Sequence, residues 1–305
     1  MGRTGILLLL AFVALAFGGG PAGCSCDRSR EGRAPARAPE PLRERLENPP
    51  DEDVRQPPIE VPDGMVHVPR GAFRMGCDEE VDGACAATER PSRQVWVSGF
   101  FLDRTEVTVA AFTACIAAGS CSPPVSAGEC NYGEADRGQF PINCVTWDQA
   151  VQHCAFAGKR LPTEAEWEKA ARGTDGRTFP WGADLPDAGG TFRANWGEGL
   201  ARHLWMRDQW EYDGPVGFFP EGAGPYGALD QAGNVSEWVA DGYREGYAPD
   251  DTRDPEVGPT AEGRVVRGGS FREYARRLRT FVRDWHEPTF WYSHVGFRCA
   301  KDAPR

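Results

Sequence analysis

Eight cysteines between Cys77 and Cys299, behind an export-type N-terminus, constrain this chain more than any other feature. Arg3 precedes an apolar run from Ile6 to Phe17. A run of that length is too short to cross a bilayer and right for the hydrophobic region of a secretory signal. The rest of the chain is therefore expected in an oxidising compartment, where Cys77, Cys85, Cys115, Cys121, Cys130, Cys144, Cys154 and Cys299 form disulfides by default. Loop proximity favours Cys77 with Cys85 and Cys115 with Cys121. The other pairings stay open, and no spacing is that of a CxxC zinc site.

Ala22 and Gly23 stand directly before Cys24, which resembles the lipobox of bacterial lipoproteins, with Pro21 where such boxes usually carry Leu. Residues 1–23 are read as a lipoprotein-type signal peptide and Cys24 as the lipidated residue; an ordinary signal peptide cleaved nearby, or a Cys24–Cys26 disulfide, is the alternative. Residues 24–60 are rich in Pro, Arg and Glu and poor in large apolar side chains, a composition that cannot order itself and reads as a tether. Residues 61–305 form the folded domain. The expected product is an exported lipoprotein, a monomer, held to the membrane only by its N-terminal lipid and facing the periplasm or cell surface.

With 34 Lys and Arg against 45 Asp and Glu, the formal charge is −11, so nucleic acid is not an expected partner. The 37 Gly, 25 Pro and 10 Trp point to many turns with aromatic rings filling the gaps. Thr146 with Gln149 and Thr163 with Glu166 are capping boxes opening two consecutive helices, stopped by Gly158 and Gly173. A third helix is predicted from Thr108 to Ala118, and strands at Met65 to Arg74, Gln94 to Leu102, Arg264 to Arg267 and Val295 to Cys299. From Gly173 to Gly263 no sustained period is found, so structured loops held by metal, disulfides or buried tryptophans are expected there.

Five stretches then occur as an ordered set: Ala157-Gly158-Lys159-Arg160-Leu161-Pro162-Thr163-Glu164-Ala165-Glu166-Trp167-Glu168, Phe179-Pro180-Trp181-Gly182, Gly233-Asn234-Val235-Ser236-Glu237-Trp238, Val266-Arg267-Gly268-Gly269-Ser270-Phe271 and Gly296-Phe297-Arg298-Cys299. From about Met65 to Asp302 the chain resembles the formylglycine-generating enzyme, or sulfatase-modifying factor, family. The resemblance implies one α+β domain with a C-type-lectin-like core, low in regular secondary structure, with bound calcium and a Cys154–Cys299 bridge.

The family's oxidase holds copper(I) with two cysteines shortly after Gly-Gly-Ser, soft thiolates suiting that ion. Here the corresponding positions are Glu273 and Leu278, so copper chemistry by the family mechanism is not expected. A related branch holds non-haem iron with histidines. His153 reads as a packing or surface histidine, His286 and His294 lie in the loop before Gly296, and iron is not expected either. For calcium the resemblance implies Asp230 and Glu237 with the carbonyls of Gly233 and Val235. A second site uses Asn195 and Asp208 with the carbonyls of Trp196 and Trp210; all are hard oxygen donors. Glu106 is expected to bond buried backbone groups, Trp167, Trp181 and Trp238 to pack in the core, and the arginines from Arg272 to Arg283 to meet acidic loops. The functional expectation is a calcium-stabilised binding or accessory module, with a groove near Ser270, Arg272 and Glu273 for a peptide or protein; the alternative is an oxidoreductase using unfamiliar residues.

Overall fold

Three threonines fix where the three main helices begin. In this computed structural model, which describes residues 59–197 and 208–304, the side chains of Thr108, Thr146 and Thr163 each accept from the backbone N–H three residues on. They open α2 (Val109–Ala117), α3 (Trp147–Phe156) and α4 (Glu164–Arg172). Gln149 and Glu166 return the bond to their cap residues, so both capping boxes are closed. A one-turn α1 (Glu79–Asp82), capped by Asp78, was not foreseen. The signal peptide, Cys24, Cys26 and nearly all of the tether lie outside the described residues, as does His203.

Two predicted strands are each divided. Met65 to Arg74 becomes β1 (Met65–Val68) and β2 (Gly71–Met75), and Gln94 to Leu102 becomes β3 (Arg93–Val97) and β4 (Phe100–Asp103). Pro69 has no N–H to give a ladder, and Ser98-Gly99 makes the matching break. The halves then serve different sheets: β2 pairs with β3 alone, while β1 pairs with β4, which pairs with β9 (Ala300–Asp302). The remaining sheet has the order β7 (Arg283–His286), β6 (Arg264–Arg267), β5 (Ser236–Gly242), β8 (Val295–Phe297), with β5 and β8 parallel. The architecture is α+β and loop-rich.

Four disulfides staple it: Cys77–Cys85, Cys115–Cys121, Cys130–Cys144 and Cys154–Cys299. The last spans 145 residues, and on chain entropy alone is worth about 5 kcal/mol. It lies in a core with Phe112, Trp238 and Phe297, all fully buried. Trp167 is equally buried, but Trp181 is not: it stacks on Phe179 at 5.2 Å and stays partly exposed.

Every residue of α4 is buried, charged ones included. The helix runs through the middle of the domain, so its charges find partners far away in sequence. Lys169 Nζ donates to the carbonyls of Pro69 and Gly71. Glu164 receives two bonds from Arg283 and one from Arg267. Glu168 receives from Arg267 at 2.6 Å and from the Gly76 amide, and Arg172 reaches both oxygens of Asp82.

Candidate functional site

The turn after β6 makes a cavity. Gly268 and Gly269 take φ of 92° and 68°, the left-handed region that favours glycine. A Cβ on Gly269 would stand 2.7 Å from Leu278 Cδ2 and 3.0 Å from the Arg277 carbonyl. With no side chain there, the segment from Ser270 to Leu278 folds back onto the turn. Between it and β7 lies a cavity of about 50 Å³, room for a few waters or one ion with its ligands. Val266, Val282 and the two glycines give its apolar lining; Ser236, Glu273, Arg277 and Asp284 give polar walls, and His286 and His294 complete it.

The two positions that the resemblance aligns with the family's cysteine pair part company here. Glu273 lines the cavity, whereas Leu278 is fully buried and packs with Phe179, Ala194 and Ala232. Among the described residues all eight cysteines are bridged, so no thiolate faces this cavity. Of the groove residues named with Glu273, Ser270 is fully buried, its Oγ receiving the Arg272 amide, and Arg272 turns away to Glu129 and Ser293. Arg277 holds Asp284 and approaches Glu273 at 3.6 Å.

Burial lowers the pKa of His286, with Asp284 opposing. Burial, then His286 and Arg272, bring His294 down to about 4. Both rings are therefore neutral at neutral pH. Their ring planes stand at 82°, with centroids 5.3 Å apart. Their meeting was not legible in the sequence, which placed both in one loop without saying that they face each other. His153 packs as expected, stacked on Phe112 at 5.4 Å, with burial lowering its pKa to about 4.

The residues implied for calcium fall in two neighbouring clusters. In one, Asp208 is buried and accepts from the amides of Trp196 and Trp210 at 3.3 and 3.1 Å. Burial raises its pKa to about 6 against those bonds. Asn195 donates to the Tyr212 carbonyl, and its own carbonyl accepts from Asn234. In the other, Glu237 is clasped by Arg298 through both oxygens and takes the Trp167 indole N–H at 2.7 Å. Asp230 accepts the Gly217 amide at 2.6 Å and bonds Glu106. Glu106 keeps a backbone bond at its own amide, its Oε1 accepts from the Asn234 side-chain amide, and its carboxyl meets that of Asp230. Burial first, then mutual repulsion, raises Glu106 well above the usual carboxylate range and raises Asp230 too. Three carboxyl groups thus share one guanidinium in a buried site. An excess of carboxylates over guanidinium among hard oxygens is donor chemistry that suits a divalent calcium ion, and among the described residues the buried Asp208 has no cation beside it.

The profile of the sulfatase-modifying factor enzyme 1-like domain matches residues 50–303. The chain belongs to that family. A formylglycine-generating enzyme of Thermomonospora curvata is 34% identical over 297 residues, covering 81% of this chain and 96% of the relative. A Bos taurus protein named inactive C-alpha-formylglycine-generating enzyme 2 is 34% identical over 180 residues, covering 57% of this chain and 54% of the relative. Among solved structures, PvdO from Pseudomonas aeruginosa superposes with a TM-score of 0.65 at 26% identity, covering 78% of this chain and 94% of that one. This sulfatase-modifying factor-like domain thus keeps the family's framework, and its cavity is lined by carboxylates, an arginine and imidazoles.

Proposed function

We propose that this sulfatase-modifying factor-like domain is an exported binding or accessory module, anchored by a lipid on Cys24 and stabilised by calcium, without copper-dependent formylglycine-generating activity. The observation that carries the reading is the pair Glu273 and Leu278. A carboxylate on the cavity wall and an isobutyl group in the core cannot hold copper(I) or orient a third thiolate. The bridged cysteines leave no reserve of thiols among the described residues. A relative named as inactive supports the view that this framework persists without the activity.

Asp230, Glu237 and the carbonyls of Gly233 and Val235 would hold one calcium ion, and Asn195, Asp208 and the carbonyls of Trp196 and Trp210 another. Bound there, calcium supplies charge balance and cross-links loops that have no disulfide of their own. A peptide or protein ligand would use the cavity lined by Glu273, Arg277, Asp284, His286 and His294. The test is incubation of the purified chain with copper, oxygen and a cysteine-containing sulfatase-motif peptide, read by mass. An unchanged peptide is expected. Robust aldehyde formation overturns the reading and returns the protein to the oxidoreductases, the second reading. That second reading draws on the one feature of the cavity that could hold a redox metal, its two imidazoles.

A further inference from the structure

We infer that His286 and His294 form a two-histidine site for a borderline divalent ion of the zinc type, at the cavity beside the Gly268-Gly269 turn. The ring geometry is the first ground. With about 2.0–2.1 Å for a zinc–nitrogen bond and about 1.1 Å from nitrogen to ring centre, two imidazoles on one tetrahedral ion place their centres roughly 5.2 Å apart. The centroids here stand 5.3 Å apart, with the planes at 82°.

The second ground is that the nitrogens have no other work. Neither imidazole makes a hydrogen bond among the described residues, although both are half-buried and line a cavity. Their faces, by contrast, are fixed. His286 stacks on Tyr292 at 4.1 Å and meets Trp238 edge-on at 6.1 Å, and Tyr292 also meets His294. Aromatic neighbours thus restrict how either ring can turn.

Glu273 and Asp284 line the same cavity but are drawn to Arg277. Among the described residues, no third histidine, cysteine or acid completes a trio here. The one compact trio, Cys115, Cys121 and His153, is closed by a disulfide between its two sulfurs. The ion would therefore keep open positions for water or for a donor atom of a ligand, with one protein ligand fewer than a catalytic zinc site carries. The site goes beyond the binding-module reading and stands whether or not a peptide docks, because it is read with the metal alone.

The experiment uses the untagged full chain, stripped of metal and then saturated with calcium to fill the oxygen sites. Zinc is titrated calorimetrically, and cobalt(II) is added in parallel for its visible spectrum. One zinc per chain is expected, with a tetrahedral cobalt spectrum. Both His286→Gln and His294→Gln should weaken zinc by more than about tenfold, since even supporting groups cost that much, and abolish the cobalt spectrum; His67→Gln should change neither. Zinc binding that survives both substitutions, or no binding to calcium-saturated protein, overturns the site. Thermal melts of each variant separate a lost ligand from a lost fold.

Discussion

Two buried clusters of acids in this domain differ in how their charge is balanced. Around α4, Asp82, Glu164, Glu168 and the neighbouring Asp241 meet Arg74, Arg172, Arg267 and Arg283, as many guanidinium groups as carboxyl groups. Beneath β5 and β8, Glu106, Asp230 and Glu237 share Arg298 alone. Burial pushes Glu164 up, but Arg283 and Arg267 outweigh it and hold its carboxyl below the ordinary value. In the other cluster nothing outweighs burial, and Glu106 and Asp230 rise. The first cluster is complete in itself and can serve as permanent internal wiring. The second must take up protons or a cation, which is the behaviour expected of a site that exchanges something with solvent.

The sharpest way to break the comparison is to unbalance the balanced cluster. Arg267→Met leaves the buried Glu164 and Glu168 each short of a partner and should cost about 3–5 kcal/mol in chemical denaturation. Glu164→Gln, which removes the charge but keeps an acceptor, distinguishes charge from packing if the arginine variant does not fold. A loss below about 1 kcal/mol for both would mean that the α4 network is ornamental.

Removing calcium probes the unbalanced pair of sites. If the ion binds the folded state only, saturation at a hundred times Kd stabilises by about 2.7 kcal/mol. Chelation should therefore lower the melting temperature by several degrees, and elemental analysis should find calcium before chelation and none after. An unchanged melt with no calcium in the purified protein would count against both sites.

These contrasts explain what could be read from sequence. Thr146 with Gln149, and Thr163 with Glu166, bond within one turn, so the helix starts were legible. The charged residues of α4 were not: Glu164 meets Arg283 across 119 positions, and nothing local says that a Glu-Ala-Glu-Trp-Glu-Lys helix is buried on all sides. β5 escaped for a related reason. Ser236–Gly242 carries Glu237 and Asp241 in a buried strand, and both acids are tolerable only because of distant donors. At the cavity, the Gly-Gly-Ser motif located Glu273, but only the folded chain shows that Leu278 turns into the core and that His286 faces His294.

Asp241 gives the α4 cluster a pH signature. Its oxygens accept the Glu164 and Val257 amides, yet burial, then the nearby Glu164 charge, raise its pKa to about 8. The native state thus holds a proton that the unfolded chain releases near pH 4. From this group, stability is greatest at low pH and falls as pH rises from about 4 to about 8, by up to about 1.4 kcal/mol per unit. Glu164, with its lowered pKa, has the opposite sign: its contribution is present above the ordinary carboxylate range and lost as pH falls. Asp241→Asn should lose on the order of 1 kcal/mol through one amide bond but flatten the decline between pH 6 and pH 8. An unchanged slope would show that Asp241 is ionised in the fold.

The smallest expected effect is the most discriminating. In calcium-free protein, Glu106→Gln should change stability by less than about 1 kcal/mol. A protonated Glu106 and a glutamine are nearly the same object: each can accept from Asn234 through Oε1 and donate toward Asp230. The chemically identical change at Glu164 removes a charge that two arginines need, so the two variants should differ by several kcal/mol although both side chains are buried acids. With calcium present the Glu106 variant should fall further behind wild type, because the surplus negative charge that favours the ion has shrunk by one. If Glu106→Gln proves as costly as Glu164→Gln in chelator, Glu106 is ionised without a cation, and Arg298 alone must be balancing more charge than the comparison allows.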